Sequence, residues 1–176
     1  MLKLYRRTKR GTEYWEAWST ATEIRIHWGK LGDLGESREL PIERGVNPSD
    51  TIKREAKPIR LAGFKPLKEA DLKWVVIQFA LDGHGTTSDF DKRVKIENLM
   101  NECLGWTGSG HCDGGDMGSG EMNVFCLVVD SSIATKVIVE ELSSQALIAG
   151  AAIAERIGDD YKVLWPRDFL GEFSIK

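Results

Sequence analysis

Apolar and polar residues alternate with a period of two through three stretches near the start of the chain. Residues 2–6 alternate apolar with basic, and 13–18 (EYWEAW) and 23–28 (EIRIHW) continue the pattern. Alternation places successive side chains on opposite faces of a strand. In 23–28, Ile24, Ile26 and Trp28 share one face, while Arg25 and His27 share the other. Residues 9–12 and 19–22 fit tight connections, and 36–41 reads as a fourth strand. Four short strands so closely spaced predict an antiparallel meander. Asn47-Pro48-Ser49 ends it. Ser49 is a suitable N-cap, with Asp50 in the first turn, for a helix to about Leu61. Pro58 must kink or shorten that helix, since it has no N–H to donate. Gly63 suits its C-cap, Phe64 can fold back on it, and 65–72 reads as a linker.

The pattern then changes. Residues 73–81 (KWVVIQFAL) are almost continuously apolar, as in a strand buried on both faces. Ser88, with Asp89 and Asp91, opens a helix whose apolar stripe is Phe90, Val94, Leu99 and Cys103, and Gly105 stops it. A glycine-rich turn leads to a strand over 122–129. Asp130-Ser131-Ser132 then starts a helix carrying Ile133, Val137, Ile138 and Leu142. Strands over 148–156 and 161–165 complete the chain. The expected class is α+β, in two domains. Residues 1–68 form a small antiparallel sheet with one helix, and residues 73–176 a ferredoxin-like β-α-β-β-α-β unit with an added strand.

Charge changes the picture by dividing it along the same line. Residues 1–70 carry fifteen Lys and Arg against ten Asp and Glu, a net +5; residues 71–176 carry nine against seventeen, a net −8. A basic half and an acidic half suggest different partners, although ordinary solvated surface gives the same counts. Nothing approaches the ~20 apolar residues of a membrane span. The N-terminal stretch lacks the apolar core of a signal peptide. Three cysteines without a C-x-x-C lead us to expect reduced thiols and a cytoplasmic protein that does not meet a membrane.

Within the basic half, an ordered set of residues stands out: Tyr14-Trp15, the strand EIRIHW, Trp28-Gly29 followed by Lys30, then Gly32, Gly35, a strand, a helix and Gly63-Phe64. Over residues 1–66 this set resembles the WGR domain, a β-rich module named for its Trp-Gly-Arg signature. WGR domains occur in DNA-damage-responsive poly(ADP-ribose) polymerases and in many bacterial proteins. There the signature Trp packs on sugar at a DNA end, and nearby basic residues contact phosphate. The resemblance implies that Trp28 stacks on the ligand and that Lys30 stands where Arg is usual. The expected nucleic-acid-binding set is Trp28, Gly29, Lys30, Arg6, Arg7, Arg25 and Arg38. Stacking on an aromatic contributes about 1–3 kcal/mol per base, and phosphate contacts add a salt-dependent share. Lys lacks the planar fork of Arg, so Lys30 would hold phosphate with looser geometry. The polymerases' catalytic domain has no counterpart here, so ADP-ribosyl transfer is not implied. Alternation alone also allows Trp28 to be a core residue on the Ile24/Ile26 face.

Residues 105–122 (GWTGSGHCDGGDMGSGEM) are the other conspicuous stretch. They lack G-x-x-x-x-G-K-[ST] and the spacing of a calcium loop, and His111-Cys112 has no partners at zinc-ligand spacing. Two readings stay open. One is a structural hairpin in which glycines permit positive φ; the other is a recognition loop presenting Trp106, His111, Asp113 and Asp116. No nucleophile elbow is present. We therefore expect a non-catalytic protein without cofactor or metal. It would bind DNA ends or breaks or, as an adaptor, a protein partner.

Overall fold

Nine strands and three α-helices occur in the computed structural model, which describes all of residues 1–176. Two compact units divide the chain: Met1–Glu69 together with Trp106–Gly108, and Ala70–Gly105 together with Ser109–Lys176. Each is α+β and built on its own antiparallel sheet.

The first unit holds β1 (Leu2–Thr8), β2 (Gly11–Ser19), β3 (Glu23–Lys30) and β4 (Glu36–Pro41), paired in sequence order as a meander. Alternation sorts its side chains. Leu4, Trp15, Ala17, Ile24 and Ile26 pack against Ile52 and Ala56 of α1 (Pro48–Leu61). Tyr5, Tyr14, Glu16 and His27 are buried on the other face. Helix α1 starts earlier than Ser49 would set it. Asn47 is the N-cap, accepting the Ser49 N–H at 2.9 Å, and Pro48 opens the helix, where its missing donor costs nothing. Pro58 stays inside the helix. Gly63, at φ +94°, donates to Arg60 O, and Phe64 donates to Ile59 O. These two bonds make a Schellman ending that turns Phe64 back toward the sheet. Part of the expected linker is ordered, since Lys65 exchanges both backbone bonds with Tyr5.

The second unit has the sheet order β6-β7-β5-β8-β9, every neighbour antiparallel. Its strands are β5 (Lys73–Ala80), β6 (Gly110–Gly118), β7 (Glu121–Val128), β8 (Ala151–Ile157) and β9 (Asp160–Trp165). Helices α2 (Thr87–Trp106) and α3 (Ser131–Ser144) supply Ile96, Met100, Leu104, Ala134, Ile138 and Leu142 to one core with Val75, Ile77, Val124 and Ile153. The opposite face of the sheet is partly covered by Phe173.

Three expectations require correction here. Of the expected α2 stripe, Leu99 and Cys103 pack against the core but Phe90 is exposed, and the fully buried positions are Ile96, Met100 and Leu104, spaced by four. The helix also starts from Thr86, whose hydroxyl accepts the Asp89 N–H while the Asp89 carboxylate accepts the Thr86 N–H, a reciprocal capping box. The glycine-rich stretch, expected as a turn, is mostly strand β6. Its turn is only Ser119-Gly120, both at positive φ, as a two-residue type I′ hairpin requires.

Candidate nucleic-acid interface

Register builds the site. Across the first sheet, Leu4, Trp15, Trp28 and Glu36 align in one row, and Arg6, Glu13 and Lys30 in the next. The two tryptophans are direct cross-strand partners, yet Trp15 is only 4% exposed while Trp28 is half-buried. Trp28 lines a cavity of about 490 Å³ with Lys30, Arg6, Arg38, Ile59 and Phe64, over a floor that includes Trp15 and Ile26. One part of Trp28 thus packs on the core and another borders open space.

The cations around this cavity differ in availability. Arg6 is held by Glu13 at 2.5 and 2.9 Å, donates to Ala62 O at 3.0 Å, and lies 4.7 Å above the Phe64 ring. Arg38 pairs with Glu55 at 2.5 Å. Lys30 is exposed and enters no ion pair. Its ammonium is therefore the cation best placed to meet an anion without first leaving a carboxylate.

The Trp-Gly-Lys segment is pinned from the other face. A methyl group on Gly35 would lie 2.0 Å from Trp28 O and 2.4 Å from the Tyr14 hydroxyl, so only glycine allows this approach. Gly35 N–H donates to the Tyr14 hydroxyl at 3.0 Å, and that oxygen lies 3.0 Å from His27 Nε2. His27 Nδ1 is 2.8 Å from Glu16 Oε1, and Lys3 Nζ is 3.1 Å from Glu16 Oε2. The order carboxylate, imidazole, hydroxyl is that of a catalytic relay. Here, however, Tyr14, Glu16 and His27 are at most 5% exposed and leave no open side for a substrate. Buried and fully bonded, the network rigidifies the turn beneath Trp28. Burial, reinforced by the nearby Glu16 carboxylate, holds the phenols of Tyr14 and Tyr5 far above the ordinary tyrosine range.

Of the residues expected to bind nucleic acid, the structure brings Trp28, Gly29, Lys30, Arg6 and Arg38 to one cavity. Arg7 and Arg25 are not among them. Alternation puts both on the opposite face, where Arg25 bonds Glu23 at 2.8 Å and Glu39 at 2.6 Å. The parity of Arg25 with His27 already contained that answer. Glu13, Ile59 and Phe64 are site residues that the sequence reading missed. Glu13 is legible as the register partner of both Arg6 and Lys30, whereas Ile59 and Phe64 depend on where α1 packs.

The residues of the possible recognition loop lie at the end of α2 and along β6. Trp106 ends α2 and belongs to the first unit with Thr107 and Gly108. His111 is exposed on β6, and Asp116 accepts a bond from Asn123 at 2.8 Å. Asp113 sits in the β-bulge between Cys112 and Gly114, bordering a smaller hollow of about 230 Å³ with Trp74, Phe125, Tyr161 and Arg156. No group of three or more His, Cys, Asp or Glu converges as metal ligands would. No helix is long and apolar enough to cross a membrane. No family model matches the chain, and no curated protein or solved structure matches it significantly.

Proposed function

We propose that the chain is a non-catalytic nucleic-acid-binding protein whose first unit acts as a WGR-like domain and receives DNA ends or breaks. One observation carries this reading: a half-buried Trp28 and an unpaired Lys30 border the same open cavity, with Arg6 and Arg38 at its rim. An aromatic ring beside an exposed, unpaired cation suits a ligand that is part sugar or base and part phosphate. A terminus or break suits the cavity better than continuous duplex, since only there is a sugar or base free to enter. Lys in place of Arg gives charge without bidentate geometry, so it would hold phosphate less rigidly. Support for a ferredoxin-like second unit comes from its strand order, with β9 added beyond β8 at one edge.

The test is fluorescence anisotropy of the full chain with blunt, nicked and continuous duplexes of equal length over a salt series. Trp28→Ala is expected to weaken end or nick binding by about tenfold or more, in line with ~1–3 kcal/mol of stacking, and to affect continuous duplex less. Lys30→Ala is expected to weaken every duplex and reduce the salt slope by about one. No binding to any duplex at low salt sinks the proposal. An adaptor role with a protein partner then becomes the better reading, consistent with the acidic −8 half.

A further inference from the structure

All three cysteines lie in the second unit, and none is in a disulfide. Cys112 on β6 is the direct register partner of Cys126 on β7. Backbone bonding decides how near their side chains come. Val129 N–H donates to Ser109 O at 2.9 Å, so Ser109/Val129 is a hydrogen-bonded pair. Bonded and non-bonded pairs alternate along an antiparallel ladder. Counting from Ser109/Val129 makes His111/Leu127 bonded and Cys112/Cys126 non-bonded. The Cys112 N–H agrees independently, since it turns away from β7 and donates to Asn101 Oδ1 at 3.1 Å.

Non-bonded pairs bring Cα atoms to about 4.5 Å and draw side chains closest, within the ~4.4–6.8 Å that disulfides span. Cys112 packs against the core cluster that contains Cys126. The bulge after Cys112 turns Gly114 N–H onto the Cys112 sulfur at 3.4 Å. Cys112 is partly exposed, whereas Cys126 is fully buried.

From this geometry we infer that Cys112 and Cys126 form a thiol–disulfide site, in which Cys112 reacts with a small hydroperoxide and Cys126 resolves the product. The Cys112 thiolate attacks a peroxide oxygen. The S–O bond forms, the O–O bond breaks and hydroxide leaves from hydrogen peroxide, or an alkoxide from an organic hydroperoxide; sulfur has lost two electrons and the peroxide has gained them. Cys126 then gives up its proton and its sulfur attacks the Cys112 sulfenic sulfur. The S–S bond forms, the S–O bond breaks, and the hydroxyl leaves with the Cys126 proton as water.

The electrostatics fit this division of labour. The neighbouring Cys126 thiol, assisted by Gly114 N–H, holds Cys112 below the usual thiol range against burial and the Glu97 and Asp113 carboxylates. Cys126 is held well above that range, first by the neighbouring Cys112 and then by burial. Once Cys112 is a neutral sulfenic acid, the neighbouring thiolate that opposes ionisation of Cys126 is gone. Cys103 is pushed up to about 12 by burial, with Glu141 and Glu102 adding to it, and is a poor competitor.

The site lies apart from the nucleic-acid reading and does not depend on it. The full chain is treated with a small excess of hydrogen peroxide, unfolded, alkylated and mapped by mass spectrometry. Two of the three thiols should be lost, a Cys112–Cys126 cross-linked peptide should appear, and dithiothreitol should restore both thiols. Cys126→Ser should leave a Cys112 sulfenic acid that dimedone traps, and Cys112→Ser should abolish peroxide consumption. Because these variants can disturb the fold, wild-type chain unfolded before treatment provides a second comparison, and there the selective pairing should vanish. A first oxidation at Cys103, a Cys112 product that never cross-links, or the same pairing in the unfolded chain would each overturn the inference.

Discussion

Two glycine-rich stretches look alike in the sequence and do different things in the fold. In residues 27–36, glycine lets two backbone segments touch around the Tyr14 hydroxyl, and so sets the position of Trp28 and Lys30. In residues 105–120, most of the glycines lie along an edge strand; Gly105, Gly114 and Gly118 meet nothing that a side chain would disturb, whereas Gly110 and Gly115 lie close against the backbone of their pairing strand β7. Glycine content therefore says little about function; what the missing Cβ would have touched says much more. The first stretch is built around a contact, and the second around a ladder that holds a pair of thiols in register.

The largest effect that would sharpen this contrast is expected from Gly35→Ala. Its methyl would overlap the Trp28 carbonyl, which is backbone and cannot yield cheaply. Overpacking of this kind costs about 1–3 kcal/mol, and this contact belongs at or above the top of that range. Urea unfolding of the full chain should show the loss, and nucleic-acid binding should fall with it. A fully stable Gly35→Ala protein would mean that the turn is not pinned as described.

Tyr14→Phe should come next. It strips the hydroxyl that serves Gly35 N–H and His27, leaving buried polar groups unsatisfied at a cost of about 1–3 kcal/mol. It also carries a signature in pH. The Tyr14 and Tyr5 phenols are raised in the folded state, mainly by burial, so the native chain keeps protons that the unfolded chain releases. The stabilisation is complete below the unfolded tyrosine value of about 10 and is lost as pH rises above it. Tyr14→Phe should flatten that alkaline decline in a pH series of denaturation midpoints.

In the second stretch, one pair of substitutions separates strand from turn. Gly120 is at φ +86° in the two-residue hairpin, so Gly120→Val should destabilise by about 1–3 kcal/mol through backbone strain. Gly118 has ordinary φ, and a side-chain carbon added there would meet nothing within 4 Å, so Gly118→Val should change stability by less than about 0.5 kcal/mol. Equal costs at the two sites would erase the distinction drawn here. Smallest of all should be Arg25→Ala on binding, because Arg25 lies on the sheet face away from Trp28. A binding loss as large as that of Lys30→Ala would return Arg25 to the site.

The chain's own pattern determined a good part of this. Strand β4 follows the expected 36–41 bounds, and the α3 residues Val137, Ile138 and Leu142 are buried as their spacing requires. These are local matters, settled by periodicity and by how few conformations a short stretch can adopt. Alternation also carried the split between Lys30 and Arg25, since parity is a property of any strand.

Tertiary structure alone decided the rest. Nothing local marks Gly110–Gly118 as a strand, because glycine contributes no side-chain preference; pairing with β7 supplies it. The exposure of Trp28 beside a buried Trp15 follows from how α1 ends and where Phe64 turns back, a contact far away in the chain. The pairing of Cys112 with Cys126 is likewise a matter of ladder phase. A shift of one residue would place the two sulfurs on opposite faces, and only the folded sheet sets that phase.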